Sequence, residues 1–197
     1  MKILLVATVI MALGHSPLVA QNFEKGLEAY QAGDYAAAVQ EWRPLAEQGN
    51  GIAQFKLGLM YRMGVGVQLN DTQAVKWYLL AAEQGNADAQ NNLGFMYGKG
   101  EGVLQDYAKA VKWYRLAAEQ GDADAQNNLA VMHYYGHGIL QDYVIAHMWF
   151  NLASANGKKR ASQWRDEAAV KMTPVDISEA QKMAKKCVSS NYQNCGL

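Results

Sequence analysis

His133, His137 and His147 are the side chains in this 197-residue chain best suited to metal or proton chemistry, because imidazole changes charge near neutral pH. His133 and His137 stand four apart, the spacing at which one helix face offers two ligands to a metal. Gly136 interrupts that face, and Gly136-His137-Gly138 occupies a position that reads Gly100-Glu101-Gly102 elsewhere. His133 replaces the tyrosines Tyr61 and Tyr97. The pair is therefore expected to be structural, with no metal and no cofactor. The chain carries no His-Glu-x-x-His, no Walker loop and no Ser-x-x-Lys, so the common zinc, phosphate and serine-nucleophile chemistries lack their residues. Cys187 and Cys195 remain, within "CVSSNYQNC". Their spacing is wider than a redox Cys-x-x-Cys, and in an oxidising compartment they are expected to close a terminal disulfide loop of about 2–4 kcal/mol.

The elements that position these residues are written as a repeat. "AVKWYLLAAEQGN" begins at Ala74 and "AVKWYRLAAEQGD" at Ala110, 36 positions apart. At the same shift, Ala53, Ala89 and Ala125 open "AQFKLGLMY", "AQNNLGFMY" and "AQNNLAVMH". Asp34, Asn70, Asp106 and Asp142 recur with the period just before a helix-like stretch, where a short acceptor side chain can cap an orphan N–H. Ala74, Trp77, Tyr78, Ala81 and Ala82 follow the spacing of one buried helix face, and Gly85 stops that helix as Gly49, Gly121 and Gly157 stop theirs. The preceding helix carries the narrower stripe Ala89, Leu93, Met96 and Tyr97. Gly94, repeated as Gly58 and replaced by Ala130, costs about 1 kcal/mol in a helix, which predicts a neighbour too close for a larger side chain. Two-helix units of this length bury their faces only by stacking, so the chain is expected to be all-α, a right-handed α-solenoid of antiparallel helix pairs. Trp77, Trp113 and Trp149, with Tyr78, Tyr114 and Phe150, are assigned to packing.

This joint recurrence of Ala-x-x-x-Leu-Gly-x-Met-Tyr, a Gly-x-Gly loop, Asp or Asn, and Ala-Val-x-Trp-Tyr-x-x-Ala-Ala-x-x-Gly resembles the Sel-one-like repeat, a relative of the tetratricopeptide repeat. The resemblance spans residues 51–157. Residues 21–50 resemble a shorter tetratricopeptide-like helix pair, through Gly26, Gly33, Asp34, Tyr35, Ala38 and Trp42. Residues 158–197 read as two C-terminal capping helices and the disulfide loop, with Thr173-Pro174 as a helix start. Residues 1–20 have the layout of a signal peptide: Lys2, the apolar run Ile3 to Leu13, and a small residue, Ala20, at the cut.

The resemblance implies a non-catalytic scaffold or adaptor that binds a protein or peptide. By analogy with tetratricopeptide arrays, the first helix of each unit lines the concave face, which nominates Phe55, Leu59, Arg62, Asn91, Phe95, Asn127, Val131 and Tyr134. The 18 basic and 18 acidic residues balance, leaving no electrostatic footprint for nucleic acid, and no stable membrane insertion is expected after leader removal. The expected location is the periplasm or the medium of a bacterium; a luminal adaptor in a eukaryotic secretory compartment is a further alternative. A cysteine-rich secreted branch of the family suggests another reading, a β-lactam-binding or weakly hydrolysing protein. This chain lacks that branch's cysteine pair in each unit.

Overall fold

The computed structural model describes residues 17–192 and 195, with side chains from residue 22 onward. The expected leader lies outside the described residues except for positions 17–20, which open the first helix. Every described element is a helix: α1 (Pro17–Gln31), α2 (Tyr35–Glu47), α3 (Gly51–Met63), α4 (Asp71–Glu83), α5 (Ala87–Lys99), α6 (Tyr107–Ala118), α7 (Ala123–Tyr135), α8 (Tyr143–Ala155), α9 (Ala161–Ala169) and α10 (Pro174–Ser189). Consecutive helices pack as hairpins, α1 with α2, α3 with α4, α5 with α6 and α7 with α8, and each hairpin stacks on the next to form a solenoid. None of these helices is long and apolar enough to cross a membrane.

The helix starts are capped as the spacing predicts. Asp34, Asn70, Asp106 and Asp142 accept backbone N–H bonds from Ala37, Gln73, Lys109 and Ile145. Asn50, Asn86 and Asp122 do the same for α3, α5 and α7, a second series of caps that the first concealed. Each such cap satisfies an N–H that the helix itself cannot pair.

Within the hairpins α1–α2, α3–α4 and α5–α6 an aromatic ring from the second helix, Trp42, Tyr78 or Tyr114, presses on a glycine of the first. A Cβ built on Gly58 would lie 2.6 Å from the Tyr78 ring, and one on Gly94 2.7 Å from the Tyr114 ring. The close neighbour is thus a side chain of the same hairpin. Tyr78, Tyr114, Phe150, Trp77 and Trp149 are buried, while Trp113 is half-buried against the core of α4 and α5.

Two devices join successive hairpins. The second glycine of each loop, Gly66, Gly102 or Gly138, takes φ near +69° and sits on the backbone that opens α2, α4 or α6, where a Cβ would come within 2.3–2.4 Å. No side chain fits there. The second device is polar: Gln54, Gln90 and Gln126 are buried, and each donates its Nε2–H to a carbonyl at the end of the preceding hairpin, Ala46, Ala82 or Ala118, at 3.0–3.2 Å. Each glutamine's Oε1 then accepts from the residue that closes its own hairpin, Gln84, Gln120 or Asn156, at 2.7–2.9 Å. A buried carboxamide with both ends paired avoids the desolvation cost of an orphan polar group and fixes the register of the stack.

After Gly157 the period ends. α9 is only nine residues long and has no side-chain cap, whereas Thr173 and Asp176 form a reciprocal capping box at α10. α10 returns to pack on α8, burying Ala180, Ala184 and Cys187. Cys187 and Cys195 are disulfide-bonded, with Cα atoms 4.4 Å apart. The loop they close holds Tyr192, whose hydroxyl bonds to Asn156 and so ends the glutamine series.

Candidate binding face

The first helices α3, α5 and α7 lie side by side and are tied by their own side chains. Arg62 Nη1–H donates to Asn92 Oδ1 at 2.7 Å, and its guanidinium lies 4.7 Å from the centre of the Phe95 ring. Arg62 Nη2 also stands 3.9 Å from Glu101. Asn128 Nδ2–H donates to Asn91 Oδ1 at 2.9 Å. Two of the expected contact residues, Arg62 and Phe95, therefore pair with each other, and the Asn91 oxygen already has a donor. Phe55 and Leu59 are half-buried against the α4–α5 core, with the Phe55 ring 6.0 Å from that of Tyr78. Tyr134 sits edge-on to Tyr135, Tyr143 and Trp164 at 4.9–5.9 Å, in an aromatic cluster that joins α7 to α8 and α9. Asn127 and Val131 are half-buried.

One position in this row carries no side chain. Arg62, Gly98 and Tyr134 are equivalent by the 36-residue shift, and at Gly98 a cleft of about 370 Å³ opens between α5 and α7. Its walls include Phe95, Tyr114, Val131 and Met132, with Lys99 at its edge and no acidic residue in its lining. A stack forms one end: the exposed His137 ring lies between those of Tyr107, at 4.9 Å, and Tyr135, at 5.6 Å, all nearly parallel. Gln105 braces that end, donating from Nε2 to the Gly98 carbonyl at 2.8 Å and to the Tyr107 hydroxyl at 3.1 Å. Burial raises the Tyr114 phenol above its ordinary pKa, with the Arg62 charge opposing, so this wall stays a neutral hydroxyl. Such a cleft suits an apolar or aromatic side chain next to a carboxylate. The change from arginine to glycine to tyrosine at this position was a visible signal of it.

The histidines do not converge. His133 is buried in α7, where desolvation, helped by the Arg115 charge and opposed by Asp142, pushes its pKa down to about 4. His147 is buried in α8 and likewise lowered by desolvation. Among the described residues no group of three His, Cys, Asp or Glu side chains is placed to hold a metal.

A family model described as Sel1 repeat matches residues 51–86, 87–122 and 123–158. These bounds coincide with the hairpins α3–α4, α5–α6 and α7–α8. The crystal structure of a Sel1 repeat protein from Oxalobacter formigenes is similar at 33% identity and a TM-score of 0.66, over 86% of this chain and 77% of that one. A protective antigen present in uropathogenic Escherichia coli strains and displaying an SLR fold is similar at 29% identity and a TM-score of 0.55, over 88% of this chain. The chain spans about half of that second protein, 47% of its length. No curated protein matches the chain.

Proposed function

Because the chain belongs to the Sel1 repeat family, whose repeats are protein-interaction scaffolds in general, we propose that it is a non-catalytic exported adaptor whose α3–α5–α7 face holds a protein or peptide segment. The observation that carries this reading is the cleft beside Gly98, an aromatic-walled recess on the face where side chains otherwise pair with one another. An incoming apolar side chain gains about 25 cal/mol for each Å² it removes from water there, and Lys99 adds attraction for a neighbouring carboxylate. Export to the periplasm or the medium is part of the proposal. It is supported by the leader-like pattern of Lys2 and Ile3 to Leu13, and by a cysteine pair suited to an oxidising compartment.

The test is site-specific photocrosslinking in the native compartment, with the photoreactive residue at Val131 and the captured polypeptide identified by mass spectrometry. Gly98→Arg serves as the control, since the first repeat already carries arginine there and a Cβ at 98 meets nothing closer than 3.7 Å. A discrete crosslinked species that disappears in Gly98→Arg is the expected result. A species that persists unchanged in that variant places binding elsewhere.

A further inference from the structure

At its third repeat (residues 123–158) the chain supplies its own occupant for a groove that is open at the first (residues 51–86). The Tyr192 ring lies over Gly121, its nearest carbon 3.2 Å from where a Cβ would stand. Its hydroxyl donates to Asn156 Oδ1 at 3.1 Å and accepts from Asn156 Nδ2 at 2.9 Å. Gly121 follows α6 and Asn156 closes α8, so the phenol bridges the ends of two adjacent second helices.

Two repeats earlier, the equivalents of Gly121 and Asn156 are Gly49 and Gln84. They line an open groove of about 350 Å³ together with Asn50, Gly51, Ile52 and Gly85. Gln84 is held as Asn156 is, through its Nε2–H to Gln54 at 2.7 Å. Its Oε1 faces Gly51, 3.1 Å from where a Cβ would stand, and can accept a hydroxyl as Asn156 Oδ1 does. Gly49 has nothing within 4 Å of its Cβ position, where Gly121 has the ring. Two residues also distinguish this groove in the direction a ring requires. Gly51 replaces Ala87 and Ala123, which widens the groove. Ile52, exposed at 55%, replaces Asp88 and Asp124, which gives an apolar wall; in the third repeat Asp124 is paired with Lys158 instead.

We propose that the groove of Gly49, Gly51, Ile52 and Gln84 is a docking slot for a tyrosine carried by a partner polypeptide, seated as Tyr192 is seated on Gly121 and Asn156. The slot lies at the turns that join α2 to α3 and α4 to α5, away from the cleft beside Gly98, and stands independently of the function proposed for that cleft. The ring covers the glycine turn and the Ile52 side chain, and the hydroxyl selects tyrosine over phenylalanine.

The experiment titrates the isotopically labelled protein with N-acetyl-tyrosinamide and, separately, N-acetyl-phenylalaninamide, following backbone amide resonances by NMR. Saturable shifts at Gly49, Gly51, Ile52 and Gly85 are expected with the tyrosine probe. Losing one hydrogen bond should leave the phenylalanine probe about fivefold weaker. The variant Gly51→Ala with Ile52→Asp carries only residues that the second and third repeats already hold, so it folds, and its tyrosine response should fall to the phenylalanine level or below. Equal response to the two probes, no shift at these residues, or an undiminished response in the double variant would overturn the proposal. So would shifts at the same residues that grow with protein concentration alone, which would assign the slot to Tyr192 of a second copy.

Discussion

A Cβ at position 94 would stand 2.7 Å from the ring of Tyr114, a separation that real side chains do not adopt. Gly94→Ala should therefore destabilise the protein even though alanine is the better helix former. Overpacking costs about 1–3 kcal/mol against a propensity gain of about 1. Thermal melts should show a net loss of about 1 kcal/mol, with partial recovery in Gly94→Ala combined with Tyr114→Phe, the alanine–phenylalanine combination of Ala130 and Phe150 in the third repeat. A stabilised single variant would show that the ring moves aside freely.

Gln90→Leu removes a buried side chain that bonds the Ala82 carbonyl at one end and Gln120 at the other. The Ala82 carbonyl keeps the Gly85 N–H, so the loss is that of the glutamine's own hydrogen bonds, about 0.5–1.5 kcal/mol each. Because the bond to Ala82 joins one hairpin to the next, the stack should also unfold less as a unit, and urea denaturation should show a lower m-value as well as a lower midpoint. A lower midpoint with an unchanged m-value would mean that the glutamine stabilises without coupling neighbours.

His133 titrates in the unfolded chain near its ordinary value of 6.5 but in the folded chain only at about 4. Below pH 6.5 the unfolded state takes up the proton first. The stability contributed by the neutral, buried imidazole is thus complete above pH 6.5 and is lost as pH falls towards 4, by about 3 kcal/mol. His147, also lowered by burial, adds to the loss in the same direction. His133→Tyr, which restores the residue of the first two repeats, should flatten the curve of unfolding free energy against pH between 6.5 and 4. An equally steep curve in the variant would assign the acid sensitivity elsewhere.

Cys187→Ser with Cys195→Ser opens the loop that presents Tyr192 to Asn156. A loop this short constrains the unfolded chain by about 2–3 kcal/mol. Hydrogen exchange should accelerate in residues 187–192 and at the end of α8 while α3 to α6 stay protected. Uniform acceleration along the whole chain would show that the bridge supports the global fold.

Much of this fold is legible in the sequence because it repeats. A period of 36 fixes the hairpin, the glycine after each second helix marks its end, and Asp34, Asn70, Asp106 and Asp142 mark the starts. Thr173 and Pro174 announce α10 for the same local reason. Gln54, Gln90 and Gln126 are visible in the alignment but give no hint of burial, because a glutamine is read as polar until the carbonyl it reaches, eight residues away across a turn, is known. The face is harder still. Arg62 pairs with Phe95 and Asn92, and Asn128 with Asn91, because the shift from one hairpin to the next brings those positions together. That offset belongs to the packing and is not written in any single helix.

The polar clasp and the glycine loop contact make each junction chemically alike, whereas α10 and Tyr192 seal the last one. Such a molecule lengthens by internal duplication, since a second copy of residues 87–122 placed after Asp122 would meet the same carbonyl, carboxamide and turn on both sides. A copy placed after α10 would meet Tyr192 and the disulfide in their stead. Natural variation in the size of such chains should therefore arise between repeats.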